Sequence, residues 1–322
     1  MRKKSDRSIA DIAAALGVST STVSRALRQL PSISDKTTKL VLAEAQRQGY
    51  LRQEQKNVII LLPDTAMANY DITMLNVLNE RMKISGITYE IVNARHFSII
   101  PERLVHGIIS MDYADCRSSN LVSKFNLPLV AINEMPYIAG KVYAVYSDAA
   151  SGMKQAMNHL KGLGHTKVLY LYQNSTNFSS STRLNAFHEV ARTMNSVLWH
   201  PEPLRINHTY GENLLEIIEK ARKSGFTAAI IEGESAGVYA YSHLTRAGYK
   251  IPGDISLITY ETPGISDALP PPLTTIGQDF KTLAGKAVDI MEELWRGGNP
   301  PFSTAVPYIF NARESTAVPN MA

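Results

Sequence analysis

The run Ser8-Ile9-Ala10-Asp11-Ile12-Ala13-Ala14-Ala15-Leu16-Gly17-Val18-Ser19-Thr20-Ser21-Thr22-Val23-Ser24-Arg25-Ala26-Leu27 constrains the fold more than any other stretch of the chain. Ser8 and Asp11 stand three apart, the spacing of a capping box: the hydroxyl takes an orphan backbone N–H and the carboxylate reaches back. Ile9, Ile12, Ala13 and Leu16 then recur at helical spacing on one face. Gly17 tolerates the left-handed conformation of a helix stop. Ser19 follows as the cap of a second helix, with Val23, Ala26 and Leu27 facing inward. Ser34 and Asp35 open a third helix, closed by Gly49, and its inner face is expected to carry Leu40, Val41 and Ala45. Two helices joined by a turn of about four residues containing Gly form the unit that lays its second helix in a major groove. The outward side of that helix holds Thr20, Ser21, Ser24 and Arg25. Short polar side chains permit close approach to base edges, and Arg can address guanine O6 and N7 bidentately. Ser8 and Ser19 sit beside them at the helix starts. Periodicity alone also fits a three-helix bundle that binds protein.

Charge supports the nucleic-acid reading. Residues 1–57 carry 11 Lys/Arg against 5 Asp/Glu, a net of +6 in a chain whose total is +4, so the rest is slightly acidic. A basic module on an acidic body suits a polyanionic partner for the module alone.

Beyond residue 57 the pattern changes. Apolar runs at 58–62, 88–92, 105–110, 129–133, 168–172, 227–232 and 255–260 read as buried strands, separated by helical stretches at 74–84, 153–163, 184–194, 214–223 and 236–247. Repeated βα order implies parallel sheets with helices on both faces, and ligands on such sheets bind beyond the carboxyl ends of the strands. The expected architecture is an all-α helix-turn-helix head, residues 1–50, followed by an α/β body of two lobes, residues 58–322. The first lobe takes about 58–163 and 280–300 and the second about 164–279, with the terminal strand assigned to neither.

The sequence resembles the lactose-repressor (LacI/GalR) family. The head matches at residues 8–19, at Thr22-Val23-Ser24-Arg25-Ala26-Leu27 and at Ile33-Ser34-Asp35-Lys36-Thr37. Leu160-Lys161-Gly162-Leu163-Gly164-His165 and Pro271-Pro272-Leu273-Thr274-Thr275-Ile276-Gly277-Gln278-Asp279-Phe280 are similar to later family landmarks. Arg313-Glu314-Ser315-Thr316-Ala317 resembles the last strand. The resemblance implies a two-lobed, periplasmic-binding-protein-like body and an effector-responsive regulator, expected to be a repressor. Because one helix-turn-helix reads only a few base pairs, a homodimer on a pseudo-palindromic DNA operator is expected. The resemblance also implies base contacts from Thr20, Ser21 and Arg25. It aligns Arg183 with an arginine that grips polar effector groups, suited by its planar fork of donors. Glu261 stands where relatives carry an effector-binding Asp. Glu232, followed by Gly233, stands where they carry an Asn or Asp pair.

The expected effector is a carbohydrate or related metabolite bound between the two lobes. Two carboxylates at one cleft could favour a cationic or amine-bearing ligand instead, although each could simply cap the helix that follows it. Tyr70, in a loop after the first strand, and Tyr210 are candidates to stack on a ligand. Asp148 is a further effector candidate and fits a helix N-cap. The chain departs from the family at residues 51–57, Leu51-Arg52-Gln53-Glu54-Gln55-Lys56-Asn57, too short for the hinge helix that wedges open a minor-groove step in relatives. Without it, affinity should rest on phosphate neutralisation and major-groove readout.

The lone Cys116 cannot form an intrachain disulfide, and no signal peptide or long apolar run is evident, which points to a cytosolic protein. That weighs against a solute-binding protein of a transporter, the alternative for a two-lobed domain. No Gly-rich phosphate loop, nucleophile elbow or metal-spaced His set is present, so no catalytic residue, cofactor or metal is expected.

Overall fold

The computed structural model describes residues 8–320 apart from 29, 51–55, 64–66, 94–95, 97–99, 101–104, 112–126, 135–141, 174–177, 205, 208 and 211–212. Cys116 and the linker at 51–55 lie outside the described residues, and so does the side chain of Tyr210.

The head is the expected trio: α1 (Ile9–Leu16), α2 (Thr20–Leu27) and α3 (Asp35–Arg47). The Ser8–Asp11 capping box forms in both directions, and Gly17 closes α1 at φ 65°. Ser19 caps α2 by accepting from the Thr22 amide at 3.0 Å. Ile12, Val23, Ala26, Val41 and Ala45 are fully buried. Leu40 is a correction, since it is 53% exposed. The buried stripe of α3 runs through Val41 and Ala45, four apart, and Leu40 falls to one side of it.

The chain divides into two compact units, with the head counted in the first. The first comprises Met1–Met67, Met74–Val145 and Ala284–Thr304; the second comprises Ala68–Thr73, Tyr146–Leu283 and Ala305–Ala322. The sheet of the first unit carries β1 (Asn57–Leu62), β2 (Thr88–Asn93), β3 (Gly107–Ser110), β4 (Leu129–Ile132), β5 (Val142–Asp148) and β13 (Ser303–Pro307), the last two cut by the boundary, in the order β13-β5-β4-β3-β1-β2. Its helices include α4 (Asn69–Ile84), most of which belongs here, and α9 (Phe280–Trp295). The run Val58-Ile59-Ile60-Leu61-Leu62 is buried throughout and pairs in parallel with β2 and β3, as a strand covered on both faces must be.

The second unit carries β6 (Lys167–Gln173), β7 (Leu198–Leu204), β10 (Ala228–Ile231), β11 (Ser256–Tyr260), β12 (Thr274–Gly277) and β14 (Ile309–Asn311), in the order β14-β12-β11-β10-β6-β7. A short ribbon pairs β8 (Ile206–Asn207) with β9 (Thr209–Tyr210). Its helices are α5 (Ala149–Gly162), α6 (Phe178–Arg192), α7 (Leu214–Lys223) and α8 (Glu234–Arg246). The core on one side of this sheet joins Met153, Ala156, Met157 and Leu160 of α5 to Val168, Tyr170, Phe187, Ile230 and Ile258.

That core corrects the expected lobe boundary. The division falls at Val145/Tyr146, not near Gly164, because α5 buries its apolar face in the second unit. The return segment is Ala284–Thr304, and residues 305–322 close the second unit. The last strand is also corrected. It is Ile309–Asn311, antiparallel to β12, whereas Arg313–Ala317 is irregular. The buried Ser315 donates its hydroxyl to the Leu257 carbonyl at 2.6 Å and accepts from the Thr274 amide at 2.7 Å. Side-chain bonds to backbone replace a ladder there. Among the described residues no helix is long and apolar enough to cross a membrane.

Candidate functional site

Two sets of side chains form candidate sites. The first is on the head. Thr20, Ser21 and Arg25 are exposed, Ser24 is half-buried, and together with Ile9 and Arg28 they line one open concavity. The inner positions Val23, Ala26 and Leu27 pin the helix, which leaves this face outward. Ser19 bonds Ser21 and Thr22 hydroxyls at 2.8 Å each, so the cap network runs into the first turn. The N-terminus of α2 therefore offers amide dipoles suited to an anion close to its hydrogen-bonding side chains. Ser8 stays in the cap of α1, occupied with Asp11.

The second set is in the second unit. Arg183, on α6, is 8% exposed and Glu232, the residue after β10, is wholly buried. The Arg183 guanidinium lies 4.3 Å from the Tyr260 ring centroid, donates from Nε and Nη2 to the Tyr308 hydroxyl at 3.4 and 3.3 Å, and approaches Glu232 Oε1 to 3.8 Å. The Tyr170 hydroxyl donates to Glu232 Oε2 at 3.4 Å, and its ring stacks on Phe187 at 4.5 Å. Burial works against the Arg183 charge, but Tyr308, Tyr260 and Glu232 outweigh it and hold the group more firmly protonated than usual. Burial raises the Tyr170 and Tyr260 phenols above their ordinary range, so both stay neutral. The result is a charged pair inside an aromatic box.

Glu261, after β11, belongs to another cluster. Its Oε2 accepts from Thr275 Oγ1 at 2.6 Å, Arg313 Nη2 at 2.7 Å and Asn311 Nδ2 at 3.1 Å. Arg313 is held in turn by the Leu273 carbonyl at 2.6 Å. Asp148 caps α5, accepting from the Ala150 and Ser151 amides at 3.1 and 3.3 Å. Tyr70 is in the first turn of α4, not in a loop, with its ring 5.7 Å from Phe280.

Comparison with known proteins follows this division. Residues 8–53 match the family described as bacterial regulatory proteins, lacI family, and residues 157–316 match the periplasmic binding protein-like domain. The chain belongs to the LacI family. Among its curated relatives, a PurR transcriptional repressor of Mannheimia succiniciproducens is 25% identical over 305 residues, covering 88% of this chain and 91% of the relative. The lactose operon repressor of Escherichia coli is 23% identical, covering 96% and 91% respectively. A lac repressor dimer solved with operator and the anti-inducer ONPF superimposes with a TM-score of 0.67 at 20% identity, covering 97% of this chain and all of that one.

As a LacI-family protein the chain is a DNA-binding transcription regulator with a small-molecule effector domain. The head match at residues 8–53 sets aside the reading as a transporter's solute-binding protein. Of the six effector candidates, the fold brings Arg183 and Glu232 together. Glu261 contacts Thr275, Asn311 and Arg313, Asp148 is a cap, and Tyr70 meets Phe280. The basis for a cationic ligand is corrected, because each carboxylate faces its own arginine within the chain: Glu232 faces Arg183, and Glu261 faces Arg313. Tyr170, Tyr260, Tyr308, Arg313 and Arg28 were not anticipated as site residues. Arg313 carried a signal in the landmark around it. Tyr308 lies outside every quoted motif, 125 residues from its partner Arg183.

Proposed function

We propose that this LacI-family regulator is a homodimeric repressor that reads a pseudo-palindromic operator with Thr20, Ser21 and Arg25 of each head and answers to a neutral, polyhydroxylated effector. The supporting observation is the exposure of those three side chains on a capped helix whose opposite face is buried. One helix-turn-helix reads only a few base pairs, so specificity needs two copies on symmetric half-sites. Ser24, Ser8 and Ser19 serve the same face through their capping and side-chain bonds.

The effector class follows from charge. Arg183 and Arg313 each carry a carboxylate partner, so the clusters offer hydrogen bonds and aromatic surface without net charge. Sugars fit such a lining; among neighbours of the same fold, a LacI family transcriptional regulator from Enterococcus faecium has been solved with ribose and the transcriptional regulator CelR with cellobiose. Arg183, Glu232 and Glu261 are the proposed polar contacts. Tyr70 and Tyr210 are proposed apolar surfaces, and Asp148 contributes by fixing the start of α5. With the short linker at 51–57, affinity is proposed to rest on phosphate contacts and major-groove readout.

Selection of duplexes from a randomised library by the full-length protein tests the DNA reading. The expected product is a symmetric motif, and enrichment of no sequence rejects it. Thermal-shift screening tests the effector reading, because a ligand selective for the native state raises the unfolding midpoint. Neutral sugars are expected to stabilise the protein. Stabilisation by amines alone would reject a neutral effector.

A further inference from the structure

Arg28 stands at the C-cap of the recognition helix. Its Nη2 donates to the Ser24 hydroxyl at 2.6 Å and its Nε to the Ser24 carbonyl at 3.2 Å, an i to i+4 clamp. Those two bonds leave most of the five N–H donors of a guanidinium for another acceptor. The side chain is half-buried and lines the same concavity as Thr20, Ser21 and Arg25. Ser24 thus accepts from Arg28 and fixes its guanidinium on the face that carries Thr20, Ser21 and Arg25.

Position along the helix sets what Arg28 can reach. In helix-turn-helix proteins the N-terminal residues of the recognition helix meet the base edges. Arg28 lies seven residues beyond Ser21, about 10 Å along the axis, at the end that leaves the groove. The anion available there is the phosphate backbone, and a planar fork of donors suits phosphate oxygens. We propose that Arg28 is a phosphate-contacting residue and that Ser24 is the residue that positions it. This rests on the DNA-binding reading above. It separates two arginines three residues apart: Arg25 reads sequence, whereas Arg28 sets register and affinity without reading it.

The test uses full-length protein, a duplex selected by the wild type and a scrambled duplex of equal length, with binding measured across a salt series. Neutralising one phosphate contributes about 0.9 to the slope of log Kobs against log salt. Arg28→Ala should lower the slope by about 1 per head and weaken both duplexes by the same factor. Arg28→Lys should keep the slope, because it keeps the charge. Ser24→Ala should fall between wild type and Arg28→Ala, and should change nothing further in the Arg28→Ala background. A residue that merely caps α2 would alter thermal stability and leave the slope of the folded protein alone, which would overturn the proposal. A changed sequence preference in Arg28→Ala would also overturn it, in favour of base reading. If the wild type binds neither duplex, the DNA-binding reading fails, and this proposal with it; equal binding to both removes only the sequence reading by Arg25, and the salt slope of Arg28→Ala still decides this proposal.

Discussion

Replacing Glu232 by Gln keeps the size of the side chain and removes its charge from the buried box. Arg183 and Glu232 have side chains 9% and 1% exposed, with Nη1 and Oε1 3.8 Å apart. At an effective dielectric of about 20, that separation corresponds to ~4 kcal/mol of attraction. Breaking a buried pair on one side costs about 3–5 kcal/mol in other proteins, because the remaining charge is left without compensation. Here the pair is not a close bidentate one, and the Tyr260 face and Tyr308 hydroxyl still support Arg183. Glu232→Gln should therefore destabilise the second unit by about 2–4 kcal/mol, at and below the lower part of that range. The two tryptophans make the measurement local, since Trp199 belongs to the second unit and Trp295 to the first. Trp199 packs against the core that contains Tyr170 and Phe187. In a Trp295→Phe background, urea unfolding followed by fluorescence reports on that core. The double change Arg183→Met with Glu232→Leu should recover most of the loss, because apolar groups of similar volume replace buried ion pairs at little cost. A Trp199 transition within about 0.5 kcal/mol of wild type for Glu232→Gln, the range of an ordinary surface change, would refute the reasoning.

Other consequences can be measured in the same way. Burial, with help from nearby Lys56, lowers His106 from the usual 6.5 to about 4, and the Asn57 amide donates to its Nδ1 at 3.0 Å, a bond only the neutral ring can accept. The folded state thus binds this proton less readily than the unfolded chain, so its contribution to stability is full above pH 6.5 and is lost as pH falls towards 4. His106→Asn should flatten that part of the stability profile, read from Trp295, whose ring N–H donates to the His106 carbonyl at 2.8 Å. An unchanged profile would exclude His106 as the source. Thr259 Oγ1 is buried without a hydrogen-bond partner among the described residues. Thr259→Val should accordingly be neutral or stabilising by up to about 1 kcal/mol in urea unfolding, and a clear loss would reveal a hidden partner. A Cβ at Gly237 would meet Thr259 Cβ at 2.5 Å and Cγ2 at 2.8 Å. Gly237→Ala should cost about 1–3 kcal/mol by overpacking α8 on β11, whereas an unchanged midpoint would show that the two elements can separate.

The parts of the fold legible in the sequence are those where local chemistry and tertiary packing agree. The head is readable because Ser8, Gly17 and Ser19 mark helix ends while Ile12, Val23 and Ala26 mark the interior. Strands such as 58–62 and 228–231 are legible because burial on both faces makes them continuous apolar runs. By contrast β7 contains Leu198-Trp199-His200-Pro201-Glu202-Pro203-Leu204, with two prolines and two polar residues. It lies at the edge of its sheet, the place where proline is tolerated, and a local pattern cannot announce it. The lobe boundary was hidden for a related reason. The apolar face of α5 fits either unit on paper, and only the packing of Met153 and Met157 against Tyr170 and Phe187 assigns it. The family resemblance named Arg183, Glu232 and Glu261 but could not foresee that each acid meets an arginine. Tyr308 and Arg313 arrive from residues more than 50 positions away.

The regulatory account depends on the exposed face of α2 reading bases, and Arg25→Ala probes that face most directly. Full-length wild type and variant would be titrated with the selected duplex and with its scrambled counterpart at one fixed salt concentration. A bidentate arginine–guanine contact is worth about 1–3 kcal/mol of discrimination, so the ratio of the two affinities should fall at least several-fold per head, with the larger loss on the selected duplex. Equal losses on both duplexes, leaving the ratio where the wild type has it, would contradict the account.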